Sequence, residues 1–261
     1  MKAVILAAGK GTRMGKYTEN LPKGMLNVEG KTLIERQIET LNQAGINDIA
    51  IVTGYEHTKI NYSGVTYFHN EKYDTTNMVE SLMCAEEFIQ NSDVLVCYSD
   101  ILYTEKLVKQ CTDYDCEIGV AVDDEWKKLW KLRYGKVDFD LESLTVKDGN
   151  ITELGMEVET SESLDYRYIG MIKFSKKGIE TLLRTYNSRK GKPWKQSGKN
   201  FEQGYMTDIL AQMIDDGNIV KAIISHGNWL EFDTSEDYEV LTKAIRENKD
   251  LIMKNYLSWI N

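Results

Sequence analysis

Val4-Ile5-Leu6-Ala7-Ala8, an apolar run near the amino end, empties directly into Gly9-Lys10-Gly11-Thr12-Arg13-Met14-Gly15. No other stretch constrains the fold as much. A short unbroken apolar run marks a strand buried on both faces, and such strands belong to sheets covered by helices. The glycines that follow let backbone N–H groups approach a polyanion closely. Arg13, and Lys23 after Pro22, supply the opposing charge.

The strand-then-helix pattern repeats through the first half. Thr32-Leu33-Ile34-Glu35 reads as a capping box, Ile34, Ile38 and Leu41 share one helical face, and Gly45 stops that helix. Strand patterns fall at 49–52, 65–68, 94–98 and 118–122. A helix capped by Thr75 or Thr76 runs through Met83, Cys84 and Phe88. This spacing predicts an α/β fold, a mostly parallel, Rossmann-like mixed sheet flanked by helices. Ligands of such sheets bind beyond the carboxyl ends of the strands. The Gly9 loop and Asp100 both stand there.

The second half is less regular. Asp148-Gly149-Asn150 between two apolar runs reads as a hairpin. Strands are expected at 168–174, 219–224 and 229–233, and helices at 178–186 and 201–214. The polar, basic stretch 187–200 is a loop or lid. Thr234 or Ser235 caps a further helix, and 251–260 is amphipathic.

Composition narrows the ligand. The net charge of −9 argues against a nucleic-acid partner. Yet Lys2, Lys10, Arg13, Lys16, Lys23 and Lys31 face only Glu19 and Glu29 in the first 31 residues. A basic mouth on an acidic protein suits a small anion. No stretch reaches the roughly 20 apolar residues of a membrane span, and no signal-peptide layout is present, so a cytoplasmic protein is expected. Cys84, Cys97, Cys111 and Cys116 lack zinc-type spacing and read as reduced, packed thiols.

The glycine loop is not a P-loop, because no Gly-Lys-Ser/Thr closes it. Gly9, Gly11 and Gly15 miss the dinucleotide rhythm, and the second strand ends at Thr53-Gly54 instead of at an acid for the ribose. A dinucleotide-dependent oxidoreductase is therefore disfavoured. His57, His69 and His226 are scattered, and no Ser-His-Asp or Cys-His arrangement suggests a covalent nucleophile.

As a whole string, Leu6-Ala7-Ala8-Gly9-x-Gly11-Thr12-Arg13-Met14 with Asn20-Leu21-Pro22-Lys23 resembles the signature of nucleotidyltransferases of the sugar-phosphate nucleotidylyltransferase and phosphocholine cytidylyltransferase type. Segments around Asn70, Thr76-Asn77-Met78, Ser99-Asp100, Tyr168-Ile169-Gly170 and 228–233 extend it to about Leu241. The stretches 123–133 and 200–207 resemble a narrower, capsule-type cytidylyltransferase branch. Met14-Gly15-Lys16-Tyr17-Thr18 replaces the proline-containing stretch of the sugar enzymes, which points away from a sugar acceptor.

The resemblance implies one domain over 1–261. Its parts are a nucleotide-binding core (1–122), a smaller β/α acceptor-binding region completing the sheet (123–233) and C-terminal helices (234–261). It implies transfer of CMP from CTP to a small phosphorylated or phosphonate acceptor, with release of pyrophosphate. Such chemistry needs charge neutralisation and alignment. Mg²⁺ is the expected cofactor, with Asp100 and Asp233 as its ligands and Glu231 as a competitor. Arg13 is assigned to the β and γ phosphates, and Lys23 to the α phosphate and the acceptor. Leu6, Ala7, Ala8, Gly9, Gly11, Thr12, Thr76, Asn77 and Ser81 are expected at the nucleotide. Trp126, Trp130, Arg133, Glu153, Tyr168 and Trp229 are expected at the acceptor, the aromatics for a quaternary ammonium and the polar groups, with Arg167, for an amino acid. A homodimer is compatible with the sequence. Rival readings are a sugar-1-phosphate nucleotidylyltransferase and a regulatory module that binds nucleotide without chemistry.

Overall fold

Alternation along the first strand, β1 (Lys2–Ala7), sends Ala3, Ile5 and Ala7 to one apolar core and Val4 and Leu6 to another. A strand that feeds two cores must lie inside a three-layer stack. The computed structural model describes residues 1–247, so the helix expected at 251–260 lies outside the described residues.

After β1 the chain forms a small ribbon of β2 (Asn27–Val28) and β3 (Lys31–Thr32), then α1 (Leu33–Gln43), whose first turn is capped by Thr32. Next come β4 (Ile49–Thr53), β5 (Thr66–His69), α2 (Met78–Met83), α3 (Glu86–Ile89) and β6 (Val94–Tyr98). β7 (Ile101–Tyr103), α4 (Glu105–Asp113), β8 (Ile118–Asp123) and α5 (Trp126–Tyr134) follow. The rest is β9 (Glu142–Lys147), β10 (Asn150–Glu157), β11 (Arg167–Phe174), α6 (Lys176–Arg189), α7 (Met206–Asp215), β12 (Lys221–Ser225), β13 (Trp229–Glu231) and α8 (Ser235–Glu247).

Nine strands make one mixed sheet in the order β5-β4-β1-β6-β11-β8-β12-β10-β9. The first four run parallel, as does β8 with β12, while β11, β10 and β9 pair antiparallel to their neighbours. Helices α1, α4, α5 and α8 cover one face, and α2, α3, α6 and α7 the other. From β1 the chain steps outward to β4 and β5, then returns to β1's other side as β6. The order reverses between β1 and β6, which opens a crevice at their carboxyl ends.

Local details depart from the sequence expectations. Asn77, not Thr75 or Thr76, caps α2, because the Thr76 hydroxyl bonds back to Lys72 O at 2.8 Å. The helix expected at 201–214 is broken. A 3-10 turn (Phe201–Gln203) precedes α7, whose Asp208 accepts the Tyr205 N–H at 2.9 Å. The hairpin turn is as read, with Asp148 and Gly149 both at positive φ. The 187–200 loop is pinned at its middle. Trp194 is buried and its indole donates to Phe201 O at 2.8 Å. The strand expected at 229–233 is only β13, and it lies outside the main sheet, paired with β7. No helix among the described residues is long and apolar enough to cross a membrane. All four cysteines are free, and burial pushes the Cys97 thiol up to about 12.

Candidate active site

Two acids far apart in sequence are joined by the β7–β13 ribbon. Asp100 stands between the end of β6 and the start of β7. The antiparallel register sets Glu231 opposite Ile101, and the next rung is Phe232 N–H donating to Asp100 O at 2.9 Å. Asp233 therefore emerges beside Asp100. Buried Gln37 of α1 fixes the bend on the other side, donating to Tyr98 O at 3.0 Å and Ile101 O at 2.6 Å.

Lys23 reaches this pair from the loop after β1. Its ammonium donates to Asp100 Oδ2 and to Asp233 Oδ1, each at 2.7 Å. Two glycines make the approach possible. Gly11 sits at φ +65°, and a side chain there would meet Lys23 Cβ at 2.9 Å. Gly24 lies so close to α1 that a Cβ would stand 2.7 Å from Ile34 Cδ1. Arg13 closes the cluster, its Nη1 2.7 Å from Asp233 Oδ2.

Burial works against the charge on Lys23, but Asp100 and Asp233 outweigh it and hold its pKa above the ordinary lysine value. Burial also works to raise Asp233, yet Lys23 and Arg13 hold that carboxyl below its usual range. Burial pushes Glu231 up, against the attraction of Arg133. Arg133 is fully buried and is bonded to Glu231 and, at 2.8 Å, to Asp237 Oδ2. The same Asp237 oxygen accepts the N–H groups of Asp233 and Thr234, at 3.1 and 3.0 Å. Arg133 thus secures the Asp233 turn from beneath. Thr234 caps α8, accepting Asp237 N–H at 3.1 Å.

Two clefts meet at this cluster. The first, about 290 Å³, is walled by Leu6, Ala8, Gly9, Gly11, Thr12, Arg13 and Lys23 on one side and by Tyr73, Thr76, Asn77 and Ser81 on the other. Asn70, which the sequence did not single out for the site, ties two of these together: its amide donates to Thr76 Oγ1 at 2.9 Å and Ser81 Oγ at 3.0 Å. The second cleft, about 240 Å³, includes Tyr98, Asp140, Glu142, Arg167, Tyr168, Tyr205 and Glu231. Arg13, Met78, Tyr98, Asp100 and Asp233 wall both.

Of the residues expected at an acceptor, Tyr168 lines the second cleft and bonds to the Tyr98 hydroxyl at 2.9 Å. Trp126, Trp130 and Trp229 do not line it. They lie in the core at 0 % exposure, and the Trp130 and Trp229 indoles are bonded to Phe139 O and Asp123 Oδ2. Arg133 is sealed beneath the floor, and Glu153 points to solvent from β10. The residues the sequence reading missed, Tyr98, Asp140, Glu142 and Tyr205, carry no local signal beyond their place at strand ends and loops.

Asp123 holds the floor together. It is fully buried and accepts Glu125 N–H, Gly227 N–H and the Trp229 indole N–H at 3.0, 2.8 and 2.8 Å. Asp123→Ala leaves these donors unpaired, and chemical denaturation is expected to show a loss of about 3 kcal/mol. An m-value-corrected midpoint within error of wild type would remove this role.

The donor set suits a hard cation that also takes substrate oxygens. Asp100 Oδ1 is buried without a hydrogen-bond partner. Among the described residues no group of three or more His, Cys, Asp or Glu is arranged to hold a metal by itself. Two carboxylates completed by phosphate oxygens match the habit of Mg²⁺.

Comparison with known proteins identifies a family and a shared fold. Residues 3–150 match the MobA-like NTP transferase domain. A CTP:phosphoglutamine cytidylyltransferase of Campylobacter jejuni is 36 % identical over 250 residues, covering 92 % of this chain and 98 % of that protein. A choline-phosphate cytidylyltransferase of Streptococcus pneumoniae is 46 % identical over 99 residues, 36 % of this chain and 43 % of that one. Among solved structures, a CTP:phosphocholine cytidylyltransferase from Streptococcus pneumoniae shares the fold, with a TM-score of 0.73 at 24 % identity over 94 % of this chain and 98 % of that one.

Proposed function

The chain belongs to the MobA-like NTP transferase family, and from that premise we propose that it transfers CMP from CTP to a small phosphorylated or phosphonate acceptor, releasing pyrophosphate. The observation that carries this reading is the Lys23 ammonium bridging Asp100 and Asp233 where the two clefts meet. A nucleotide in the first cleft and an acceptor in the second would face each other across that wall. An acceptor oxygen attacks the α-phosphorus, the bond to the β-phosphate bridging oxygen breaks, and pyrophosphate leaves.

In this reading Lys23 neutralises charge at the α-phosphate as it builds. Arg13 holds the departing β and γ phosphates, its fork matching their oxygens. Backbone groups of Ala7, Ala8 and Gly9, with Leu6, Gly11 and Thr12, seat the nucleotide, and Thr76, Asn77 and Ser81 meet its base. Asp100 and Asp233 would hold Mg²⁺, which when bound supplies further charge neutralisation. The relatives named for phosphoglutamine and choline phosphate support an acceptor of that kind; in our reading its activated form serves decoration of a surface polymer or lipid.

The test is pyrophosphate release across four NTPs and a panel of phosphorylated amines, amino acids, phosphonates and sugar 1-phosphates. Release with CTP and a non-sugar acceptor, stopped by a chelator and restored by Mg²⁺, is the expected result. Release only with sugars would make the chain a sugar-1-phosphate nucleotidylyltransferase. No release from any pair, with nucleotide still bound, would make it a regulatory module.

A further inference from the structure

The second cleft contains a cation whose side chain is hydrogen-bonded or ion-paired to no acid among the described residues, with only Glu231 attracting it at longer range. Arg167 opens β11, is 7 % exposed and lines this cleft but not the first. Its guanidinium lies 4.7 Å from the centre of the Trp130 ring, and that of Arg133 lies 4.6 Å from the same ring. The two arginines differ in what else they touch. Arg133 is committed to Glu231 and Asp237. The Arg167 side chain makes no hydrogen bond or ion pair among the described residues, its buried Nη1 has no partner, and Glu231 attracts it only at longer range.

A guanidinium keeps its charge at any pH a protein survives, so burying it unpaired is costly unless a partner arrives. The ring of Trp130 fixes the plane of the fork without using its N–H groups. A planar fork with free donors matches a carboxylate in bidentate fashion. The Glu142 carboxylate, at the start of β9 on the same cleft, also makes no hydrogen bond or ion pair among the described residues. One free cation and one free carboxylate on a single cleft are complementary to a zwitterion.

We propose that Arg167 recognises a carboxylate on the acceptor, with Glu142 facing its ammonium, so that the acceptor is a phosphorylated or phosphonate-bearing amino acid. This rests on the transfer reading above. The acceptor's phosphate is not the group that Arg167 meets. That phosphate must reach the wall shared by both clefts, where Arg13, Asp100 and Asp233 stand with Lys23 bonded to both acids from the first cleft, and Arg167 has no part in that wall. A plain quaternary amine would leave the fork unpaired, and no tryptophan lines this cleft to cage it.

Matched acceptors test the assignment. O-Phosphoserine and phosphoethanolamine differ only by a carboxylate, and other phosphorylated amino acids can be paired with their decarboxylated amines in the same way. The wild type is expected to favour the carboxylate-bearing member of a pair. Arg167→Gln should lower kcat/KM for that member roughly 10- to 100-fold, mainly through KM, and leave the other within about threefold. Equal losses on both members, or a wild type indifferent to the carboxylate, would overturn the proposal while pyrophosphate release left the transfer reading intact. Arg167→Lys keeps the charge and loses the fork. With a wild-type melting temperature, it should still show a loss confined to the carboxylate-bearing member. Thermal stabilisation by O-phosphoserine gives a readout without turnover. Stabilisation of the wild type but not of Arg167→Gln supports the assignment, and equal stabilisation of both overturns it even if no pair is turned over.

Discussion

Lys23→Met is expected to reduce pyrophosphate release by about a thousandfold or more, since a charge directed at the reacting phosphate is lost together with the cation that aligns both acids. The substitution keeps length and apolar stem, so packing against Gly11 is retained. What disappears is the ammonium that joins Asp100 and Asp233 at 2.7 Å each. Breaking such a buried pair from one side destabilises by about 3 kcal/mol or more. The pH dependence separates this from a packing defect. In the wild type Asp233 is held below its ordinary range by Lys23 and Arg13, against burial, so it contributes stability at neutral pH that fades as the pH falls through its folded pKa. Without Lys23 that contribution is reduced, and the deficit in melting temperature should shrink as the pH drops from about 4 toward 2, below the ordinary aspartate value of 3.8. A deficit constant across that window would point to packing, and near-wild-type turnover would remove Lys23 from the chemistry.

Asp100→Ala is the companion result. Its Oδ1 has no partner and its Oδ2 is held by Lys23, which keeps Asp233 as a second acid, so the fold depends on this carboxylate less than on Lys23. Turnover at saturating Mg²⁺ should fall by about two to three orders of magnitude, while the melting temperature falls by less than in Lys23→Met, because Asp233 still pairs Lys23. Loss of turnover out of proportion to loss of stability is the signature of a group that serves the reaction. Turnover close to wild type would exclude Asp100 as a cation ligand. A large fall in melting temperature would instead make it structural.

The parts of the site that were legible in the sequence share a property. Asp100 and Asp233 each leave an apolar run and Arg13 stands in the glycine loop after one, and in a sheet of this class the exits of such runs share an edge, whereas Lys23 was read from the Asn20-Leu21-Pro22-Lys23 string. Position in the pattern was enough to bring the two acids and Arg13 together, and their proposed roles rest on the resemblance. The tryptophans were not legible, because a large aromatic at helical spacing serves a core and a ligand pocket equally well. Trp229 was decided by Asp123, a partner more than a hundred positions away that accepts its indole proton. Arg133 and Arg167 look alike in sequence. Only the ion pairs of Asp237 and Glu231 with one of them, and the lack of any ion pair to the other among the described residues, tell them apart. The β7–β13 ribbon escaped notice for a related reason, since pairing between remote three-residue segments leaves no periodicity to read.

That ribbon also sets a rule for the order in which the molecule is completed. Lys23 and Asp233 are separated by 210 positions along the chain, and they meet only when the second short strand closes on the first. The loop after β1 can take shape from local contacts during synthesis, long before Asp233 exists. Closing so large a loop is slow, and nothing local hastens it. A nascent chain that has not yet delivered Trp229 to its place against Tyr103 holds one acid of the pair and not the other. It can be folded across most of its sheet and still be inert.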